Sequence, residues 1–230
     1  MTGTRNEAVR NAWLERAIKA IPAGCRILDA GAGEQRHKVL CDHLVYVAQD
    51  FGQYDGDGDH TGLQTGSWDQ SALDIVGDIT DIAEPDASFD AILCTEVLEH
   101  LPDPIAAIRE FSRLLRKDGI LILTAPFSSL SHFSPYHYYT GFNKSFYEVH
   151  LAANNFRILE LNANGNYFEY LAQELRRITS ISGKYSNDSP TRIEWYFLRV
   201  ILKMLGRFSS KDHGSSELLC YGYHVLGKKQ

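Results

Sequence analysis

Residues 131–143, SHFSPYHYYTGFN, combine histidines and tyrosines that could perform acid–base chemistry beside an aromatic pocket. The run contains proline and glycine and has neither helix nor strand spacing, so it predicts a loop. We interpret this loop as the acceptor-substrate site, and a packed structural loop is the alternative. Histidine is the usual proton acceptor near neutral pH. The candidate bases are His132 and His137, either of which could instead bond only to backbone.

Three aspartates form a second set of candidate functional residues. Asp29, Asp50 and Asp78 each lie at the carboxyl end of a predicted strand, and Asp29 precedes the glycine turn of Gly31 and Gly33. One such aspartate is usually a helix cap or a turn former. Three in succession beside a glycine turn favour a ligand at the carboxyl edge of an open α/β sheet.

The chemistry of these carboxylates points to an adenosine ligand that carries a cation. A carboxylate after the second strand suits the two hydroxyls of a ribose. A carboxylate after the third could accept a hydrogen bond from an adenine amine. Asp29 would attract an ammonium group and repel a pyrophosphate. S-adenosylmethionine has an adenosine, an ammonium and a sulfonium.

Alternating strand and helix patterns predict the elements that position these residues. Helical spacing covers 5–20, 34–43, 104–116, 143–153, 167–178 and 192–206. Apolar runs predict strands at 25–30, 44–50, 73–79, 88–94, 119–125, 156–161 and 217–227. Strands that are apolar almost throughout favour a parallel sheet covered on both faces.

Five motifs in this order resemble those of the class I S-adenosylmethionine-dependent methyltransferases, particularly the type 11 group. They are ILDAGAG, AQDF, VGDITD, SFDAILCTEVLEHLPDP and LLRKDGILILTAPF, and they span roughly residues 20–162. The resemblance implies a Rossmann-like methyltransferase fold: α/β, doubly wound, with a seven-stranded, mostly parallel sheet and an antiparallel last strand. We expect a single domain over 1–230, with a core of 20–162 plus 217–227. Residues 163–212 would form a helical insertion that acts as a lid or a dimer element.

The resemblance also implies S-adenosylmethionine as the cofactor and a role for each residue that binds it. Asp29, Ala30 and the Gly31–Gly33 backbone would hold the methionine portion. The other cofactor residues would be Asp50 at the ribose, Phe51 beside the adenine, Asp78 and Ile79 at the adenine edge, and the Cys94 carbonyl at the ammonium. The family often has a third glycine where this chain has Gln35. Arg36, at the third-glycine position of a dinucleotide fingerprint, disfavours a dehydrogenase.

The histidines favour methylation of a hydroxyl, because a hydroxyl must lose its proton as the new bond forms. The tyrosines of the loop suit a saccharide or a similar small polyhydroxyl acceptor. The candidate substrate-binding residues are Tyr136, Tyr138, Tyr139, Asn166 and Tyr167. An N-methyltransferase and a non-catalytic adenosine-ligand binder remain as alternatives.

Composition limits the other partners of the chain. The formal net charge of -6 gives no reason to expect nucleic acid. The four cysteines form no paired motif and have no zinc spacing, so we expect no metal. Residues 54–62, YDGDGDHTG, fit the calcium-loop pattern poorly and favour a loop over the cofactor. His100 is interpreted as a structural residue that bonds to backbone.

The apolar segments of the chain indicate its location and assembly. The first residues contain no signal-peptide pattern, and no apolar run approaches the length of a membrane span, so a cytoplasmic protein is expected. The apolar helix predicted at 191–208 carries interspersed basic residues. We expect it to pack against the domain or against a second subunit in a homodimer. Contact with a membrane surface is the alternative.

Overall fold

The computed structural model describes residues 1–230, with helices and strands that alternate along most of the chain. The α-helices are α1 (Asn6–Lys19), α2 (Pro104–Leu114), α3 (Lys144–Ala153), α4 (Tyr167–Tyr185) and α5 (Arg192–Ser209). The strands are β1 (Arg26–Ala30), β2 (Val45–Asp50), β3 (Ile75–Val76), β4 (Phe89–Thr95), β5 (Leu115–Pro126), β6 (Phe156–Asn164) and β7 (Gly222–Lys229). None of these helices combines the length and the hydropathy that a membrane-spanning segment needs.

The seven strands form one sheet in the order β3-β2-β1-β4-β5-β7-β6. The pairs β2–β3, β1–β2, β1–β4 and β4–β5 are parallel, whereas β7 runs antiparallel to β5. This confirms the predicted fold class. The strand order reverses between β1 and β4, and open α/β sheets bind ligands outside the carboxyl ends of the strands at such a point.

The central strands are apolar on both faces because helices or loops cover both faces. Along β4, Ala91, Ile92, Leu93 and Cys94 are all fully buried. On one side a buried cluster joins residues of α1, including Trp13 and Ile18, to the strands. A full row of buried side chains makes the sheet the rigid base from which the loops at its carboxyl edge extend.

The prediction of a helix at 34–43 is wrong. Residues 38–41 form only a short 3-10 turn. Gln35 has a φ of 57°, in the left-handed region, and an α-helix cannot continue through such a residue. Gln35 therefore adopts a conformation that glycine accepts more readily.

Three other predicted boundaries also differ from the structure. The third strand is limited to Ile75–Val76, so Asp78 lies two residues beyond it rather than at its end. Helix α4 continues to Tyr185 and takes in the first part of the predicted polar linker at 182–190. The predicted last strand, 217–227, starts later, at Gly222.

The chain divides into two compact units. One consists of residues 11–162 and 222–230, and it contains nearly all of the sheet together with α2 and α3. The other consists of residues 1–10 and 163–221, and it contains α4 and α5. In the second unit, the Gly3 amide donates to Glu169 and Arg176 donates to the Thr2 carbonyl, so the chain start is attached to α4.

Candidate active site

The glycine turn after β1 is held by the carboxylate that ends β2. Asp50 is 7% exposed, and its Oδ2 accepts a hydrogen bond of 2.9 Å from the Gly33 amide. Its Oδ1 accepts from the Gly52 amide at 3.1 Å and from Gln70 Nε2 at 3.0 Å. Asp50, the residue predicted to bind the ribose, thus lies beside the glycine turn and also fixes the backbone of that turn.

Asp29 is buried near the end of β1, with Ala30 fully buried after it. Tyr46 donates a hydrogen bond of 2.6 Å to Asp29 Oδ2. Burial raises the pKa of Asp29 to about 7, although the bond from Tyr46 opposes that rise. A cationic group placed beside this carboxyl would stabilise its ionised form, so the site suits the ammonium that the sequence predicted there.

Trp68 lies directly against the glycine turn. A Cβ on Gly33 would come within 2.6 Å of Trp68 Cζ2, so only glycine permits this approach. Trp68 also makes edge contacts with the rings of Tyr54 and Phe133, at centroid distances of 5.4 Å. The segment between β2 and β3 therefore forms an aromatic wall beside the predicted position of the cofactor.

The remaining cofactor candidates lie along the same edge of the sheet. Asp78 is exposed, and its Oδ1 accepts hydrogen bonds of 2.8 Å from both the amide and the hydroxyl of Thr80. Ile79 is buried after it, and Cys94 is fully buried near the end of β4. Their contacts with a cofactor stay predictions.

The 54–66 segment and the predicted acceptor loop are hydrogen-bonded to each other. The Leu63 amide donates to the Ser131 carbonyl at 3.0 Å, and the Phe133 amide donates back to the Leu63 carbonyl at 3.0 Å. Ser134 Oγ donates to Asp59 Oδ2 at 2.9 Å. A Cβ on Gly62 would lie 2.5 Å from the Ser131 carbonyl oxygen, so glycine is needed for this approach. We call this paired structure, 59–63 with 131–134, the loop clasp.

The acceptor loop meets the predicted cofactor side of the site through two aromatic rings. Phe51, directly after Asp50, makes an edge contact with Tyr136 at a centroid distance of 4.9 Å. Tyr138 and Tyr139 are 50% and 40% exposed, and the Tyr139 hydroxyl donates to the Pro102 carbonyl. The structure thus brings Tyr136 to Phe51, whereas the other two tyrosines lie at the solvent-facing part of the loop.

Both predicted catalytic histidines belong to a cluster of three imidazoles. The ring centroids of His132 and His137 are 4.7 Å apart, and those of His100 and His132 are 4.6 Å apart. Phe133 stacks on His100 at 5.0 Å. The amides of Tyr138 and Tyr139 donate to the Glu99 carbonyl, which holds the loop against the segment after β4.

Hydrogen bonds to backbone carbonyls determine which ring nitrogens carry protons in two of these histidines. His100 Nδ1 lies 2.6 Å from the Tyr136 carbonyl, and His132 Nδ1 lies 2.8 Å from the Leu130 carbonyl. A carbonyl can only accept, so both Nδ1 atoms are protonated. In a neutral ring the lone pair is then on Nε2. The interpretation of His100 as a backbone-bonding residue agrees with its bond to Tyr136.

The two Nε2 atoms face the same buried carboxylate. Glu99 is 1% exposed, and its Oε1 lies 3.8 Å from His100 Nε2 and 4.0 Å from His132 Nε2. Potential ligand atoms of these three residues all lie within 4.8 Å of one another. Carboxylate and imidazole are ligands of divalent transition metals, and histidine ligands often donate their other N–H to a carbonyl. The cluster is thus able to hold either a cation or a transferred proton.

Burial and the neighbouring imidazoles lower the pKa of two of the three histidines. Burial, together with His132 and His137, lowers the pKa of His100 to about 3, so His100 is neutral at physiological pH and is a weak base. Burial and the charge of His132 also lower the pKa of His137. His137 Nε2 lies 3.2 Å from Ser129 Oγ, which itself donates to the Thr140 carbonyl.

Two predicted substrate residues lie in the other compact unit. Asn166 is the N-cap of α4, where its side-chain oxygen accepts from the Glu169 amide at 3.0 Å, and its Nδ2 donates to Ser209 Oγ. Tyr167 is 37% exposed. Asn166 thus has a structural role, and contact of either residue with an acceptor stays a prediction.

Sequence reasoning did not assign Tyr46, Trp68 or Glu99 to the site. Tyr46 is an ordinary strand residue by pattern, and Trp68 lies in a long polar segment. Glu99 occurs in a stretch that the family resemblance explains without a catalytic role. Its position before His100 was the one available signal, since a carboxylate and an imidazole adjacent in sequence can act together.

Comparison with known proteins bears on this geometry. A model of a methyltransferase domain family matches residues 2–184. The chain belongs to this methyltransferase family. It is therefore a methyltransferase, as the motifs predicted, and S-adenosylmethionine is the cofactor that those class I motifs imply.

Curated relatives of this methyltransferase cover only part of it. The ubiquinone biosynthesis O-methyltransferase of Xanthomonas oryzae pv. oryzae is 36% identical over 115 residues. That match covers 44% of this chain and 43% of the relative, so it spans less than half the length of the relative.

Solved structures share the fold of this methyltransferase. A S-adenosylmethionine-dependent methyltransferase from Archaeoglobus fulgidus superposes with a TM-score of 0.59 at 16% identity, over 97% of this chain and 94% of that chain. Phosphoethanolamine N-methyltransferase 2 of Haemonchus contortus, in complex with S-adenosyl-L-methionine, has a TM-score of 0.54 at 16% identity. That match covers 97% of this chain and 52% of the other. At these identities the similarity is one of fold.

Proposed function

We propose that this methyltransferase transfers the methyl group of S-adenosylmethionine to a hydroxyl of a small-molecule acceptor. The observation that carries the proposal is the position of His132. Its Nε2 lone pair faces a buried carboxylate, and its loop contacts Phe51, directly after Asp50, through Tyr136. A proton acceptor at the boundary between cofactor and acceptor is what a hydroxyl acceptor requires and an amine acceptor can do without.

The reaction is a direct displacement at the sulfonium methyl. The acceptor oxygen forms a bond to the methyl carbon as the carbon–sulfur bond breaks, and the electron pair of that bond remains on sulfur as S-adenosylhomocysteine. The hydroxyl proton passes to His132 Nε2. Because the electrophile is already activated, the protein contributes mainly alignment, exclusion of water and removal of this proton.

Glu99 would stabilise the imidazolium that this transfer creates. Its carboxylate lies 4.0 Å from His132 Nε2, in a place that is almost inaccessible to solvent. Opposite charges at such a distance attract strongly where water is excluded. His100 would not compete for the proton, because its pKa is lowered to about 3.

An aromatic hydroxyl suits this base better than a saccharide hydroxyl. A phenol has a pKa of about 10, within reach of a histidine base, whereas an aliphatic alcohol is much less acidic. The rings of Phe51 and Tyr136 also offer flat faces to an aromatic acceptor. The relatives named for ubiquinone biosynthesis are O-methyltransferases, which agrees with a hydroxyl acceptor. The saccharide acceptor stays a prediction from sequence.

A matched acceptor screen with radiolabelled methyl donor tests the proposal. Catechol, aniline and a simple sugar offer an aromatic hydroxyl, an aromatic amine and aliphatic hydroxyls, respectively. We expect label in the O-methyl product of the catechol-type acceptor and a rate that falls in His132→Gln. Label on the amine would assign N-methylation, and label on the sugar would restore the saccharide acceptor. Binding of S-adenosylhomocysteine without transfer to any hydroxyl compound would favour a non-catalytic binder.

A further inference from the structure

Helix α5 buries only one of its faces. Leu198, Leu202 and Leu205 form a small buried cluster with Ala172 of α4. These leucines recur at intervals of three and four residues, so they make a single stripe along the helix. The predicted packing against the domain therefore holds for this stripe, and the predicted packing against a second subunit stays a prediction.

A second apolar face of α5 is exposed to solvent. Because a helix turns by about 100° per residue, seven large side chains lie outside the buried stripe. Each is at least 37% exposed: Ile193, Tyr196, Phe197, Val200, Ile201, Met204 and Phe208. Monomeric proteins rarely expose so continuous an apolar surface, and such patches mark interaction sites. We call this set the outer face of α5.

A row of basic residues borders the outer face. On the same helical wheel of about 100° per residue, Arg192, Arg199 and Lys203 lie along one edge of the outer face, and Arg207 lies just inside that edge. The only acidic residue of α5 is Glu194, whose carboxylate accepts 2.8 Å bonds from the amide and the hydroxyl of Thr191 in a capping box. Four basic residues against one acidic residue give α5 a positive charge, opposite to the net charge of -6 of the whole chain.

We infer that the outer face of α5 binds the surface of a membrane that contains anionic lipids. Aromatic and aliphatic side chains beside a basic row are the pattern of a helix that lies in the plane of the membrane interface. The aromatic rings of Tyr196, Phe197 and Phe208 would enter the boundary between headgroups and acyl chains. The basic row would then lie at the level of the lipid phosphates.

The charge of the basic row favours an anionic membrane surface over a second copy of the chain as the partner of the outer face. An antiparallel two-fold contact through the outer face would place the basic rows of both copies beside each other, and like charges repel. An anionic lipid surface has the opposite sign and can meet the whole row at once. The inference concerns a surface outside the candidate active site, so it does not depend on the identity of the acceptor.

Sedimentation with lipid vesicles tests the inference on the full chain. We expect binding to vesicles of phosphatidylcholine and phosphatidylglycerol at low salt, weaker binding at high salt, and little binding to phosphatidylcholine alone. Neutralising the row in Arg199→Gln/Lys203→Gln/Arg207→Gln should weaken binding by about two orders of magnitude. The apolar variant Phe197→Ser/Val200→Ser/Met204→Ser should abolish it.

A control variant and a fold measurement make the result decisive. Val149 and Lys144 are exposed on α3, so Val149→Ser/Lys144→Gln changes an apolar and a basic residue elsewhere and should bind like the wild type. Circular dichroism checks that all variants are folded, which is expected because the changed side chains lie largely in solvent. Absence of binding to anionic vesicles, or equal binding by all variants, overturns the inference. Self-association that the apolar variant abolishes, without vesicle binding, would assign the outer face to a second copy.

Discussion

Replacing Glu99 by glutamine tests whether the buried carboxylate assists proton removal by His132. The substitution keeps the shape of the side chain and removes the charge that lies 4.0 Å from His132 Nε2. At an effective dielectric constant of about 20, that carboxylate attracts an imidazolium by about 4 kcal/mol. With the proton about half transferred in the transition state, about 2 kcal/mol is lost, which lowers kcat by about 30-fold.

The assay compares initial rates of methyl transfer with cofactor affinity from calorimetry. In Glu99→Gln, kcat should fall while the affinity for S-adenosylmethionine stays the same. The residues predicted to bind the adenosine follow other strands than the one that Glu99 follows. In His132→Gln, turnover should fall by about 10²-fold or more, and the rate should no longer decrease at acidic pH. The exposed Glu148, changed to glutamine, serves as the control for loss of one carboxylate.

A double variant can refute the proposal that Glu99 acts through His132. If Glu99 acts only through His132, then Glu99→Gln/His132→Gln should be no slower than His132→Gln alone. Losses that multiply would mean that the two residues act independently. Unchanged turnover in both single variants would place the base elsewhere, with His137 next to be tested, or would favour an amine acceptor. Loss of cofactor affinity in His132→Gln would mean that the acceptor loop also covers the cofactor.

Three further predictions concern the cofactor and the histidine cluster. Asp50→Ala should weaken S-adenosylmethionine binding by about 1.5 to 3 kcal/mol in calorimetry, through loss of a charged hydrogen-bond acceptor, and an unchanged affinity would remove Asp50 from the ribose site. Because the pKa of Asp29 is raised to about 7, affinity for the cationic cofactor should rise as the pH passes upward through about 7 and Asp29 ionises; calorimetry across pH should show this for the wild type and not for Asp29→Asn. Turnover should survive dialysis against EDTA, since the sulfonium needs no Lewis acid. If turnover is instead lost, and manganese or zinc restores it in the wild type but not in His100→Gln, then Glu99, His100 and His132 form a metal centre.

The sheet could be predicted from sequence because its signal is local. Each buried strand is a short apolar run, and the parallel arrangement follows from the alternation of such runs with helical patterns. The helix predicted after β1 failed because spacing cannot show that Gln35 adopts a left-handed conformation. Gln35 occupies the position where the resemblance implies a third glycine, and its φ of 57° is one that glycine adopts readily.

The candidate site was only partly accessible from sequence because its contacts join distant segments. The aspartates could be placed at strand ends, and the two loop histidines could be named as candidate bases. The approach of His132 to His100 and Glu99 could not be expected, because it depends on how the loop after β5 folds back onto the segment after β4. Likewise, apolar composition predicted burial for α5, whereas the fold provides a partner for only one side of it.

The loop clasp has a kinetic consequence. Residues 59–63 belong to the segment that carries Trp68 against the glycine turn, and residues 131–134 belong to the loop that carries the histidines. Since backbone hydrogen bonds join the two, an opening large enough to release one ligand disturbs the enclosure of the other. We therefore expect a sequential reaction in which S-adenosylmethionine enters before the acceptor, and in which the methylated product departs before S-adenosylhomocysteine. Inhibition by S-adenosylhomocysteine should accordingly be competitive with S-adenosylmethionine and non-competitive with the acceptor.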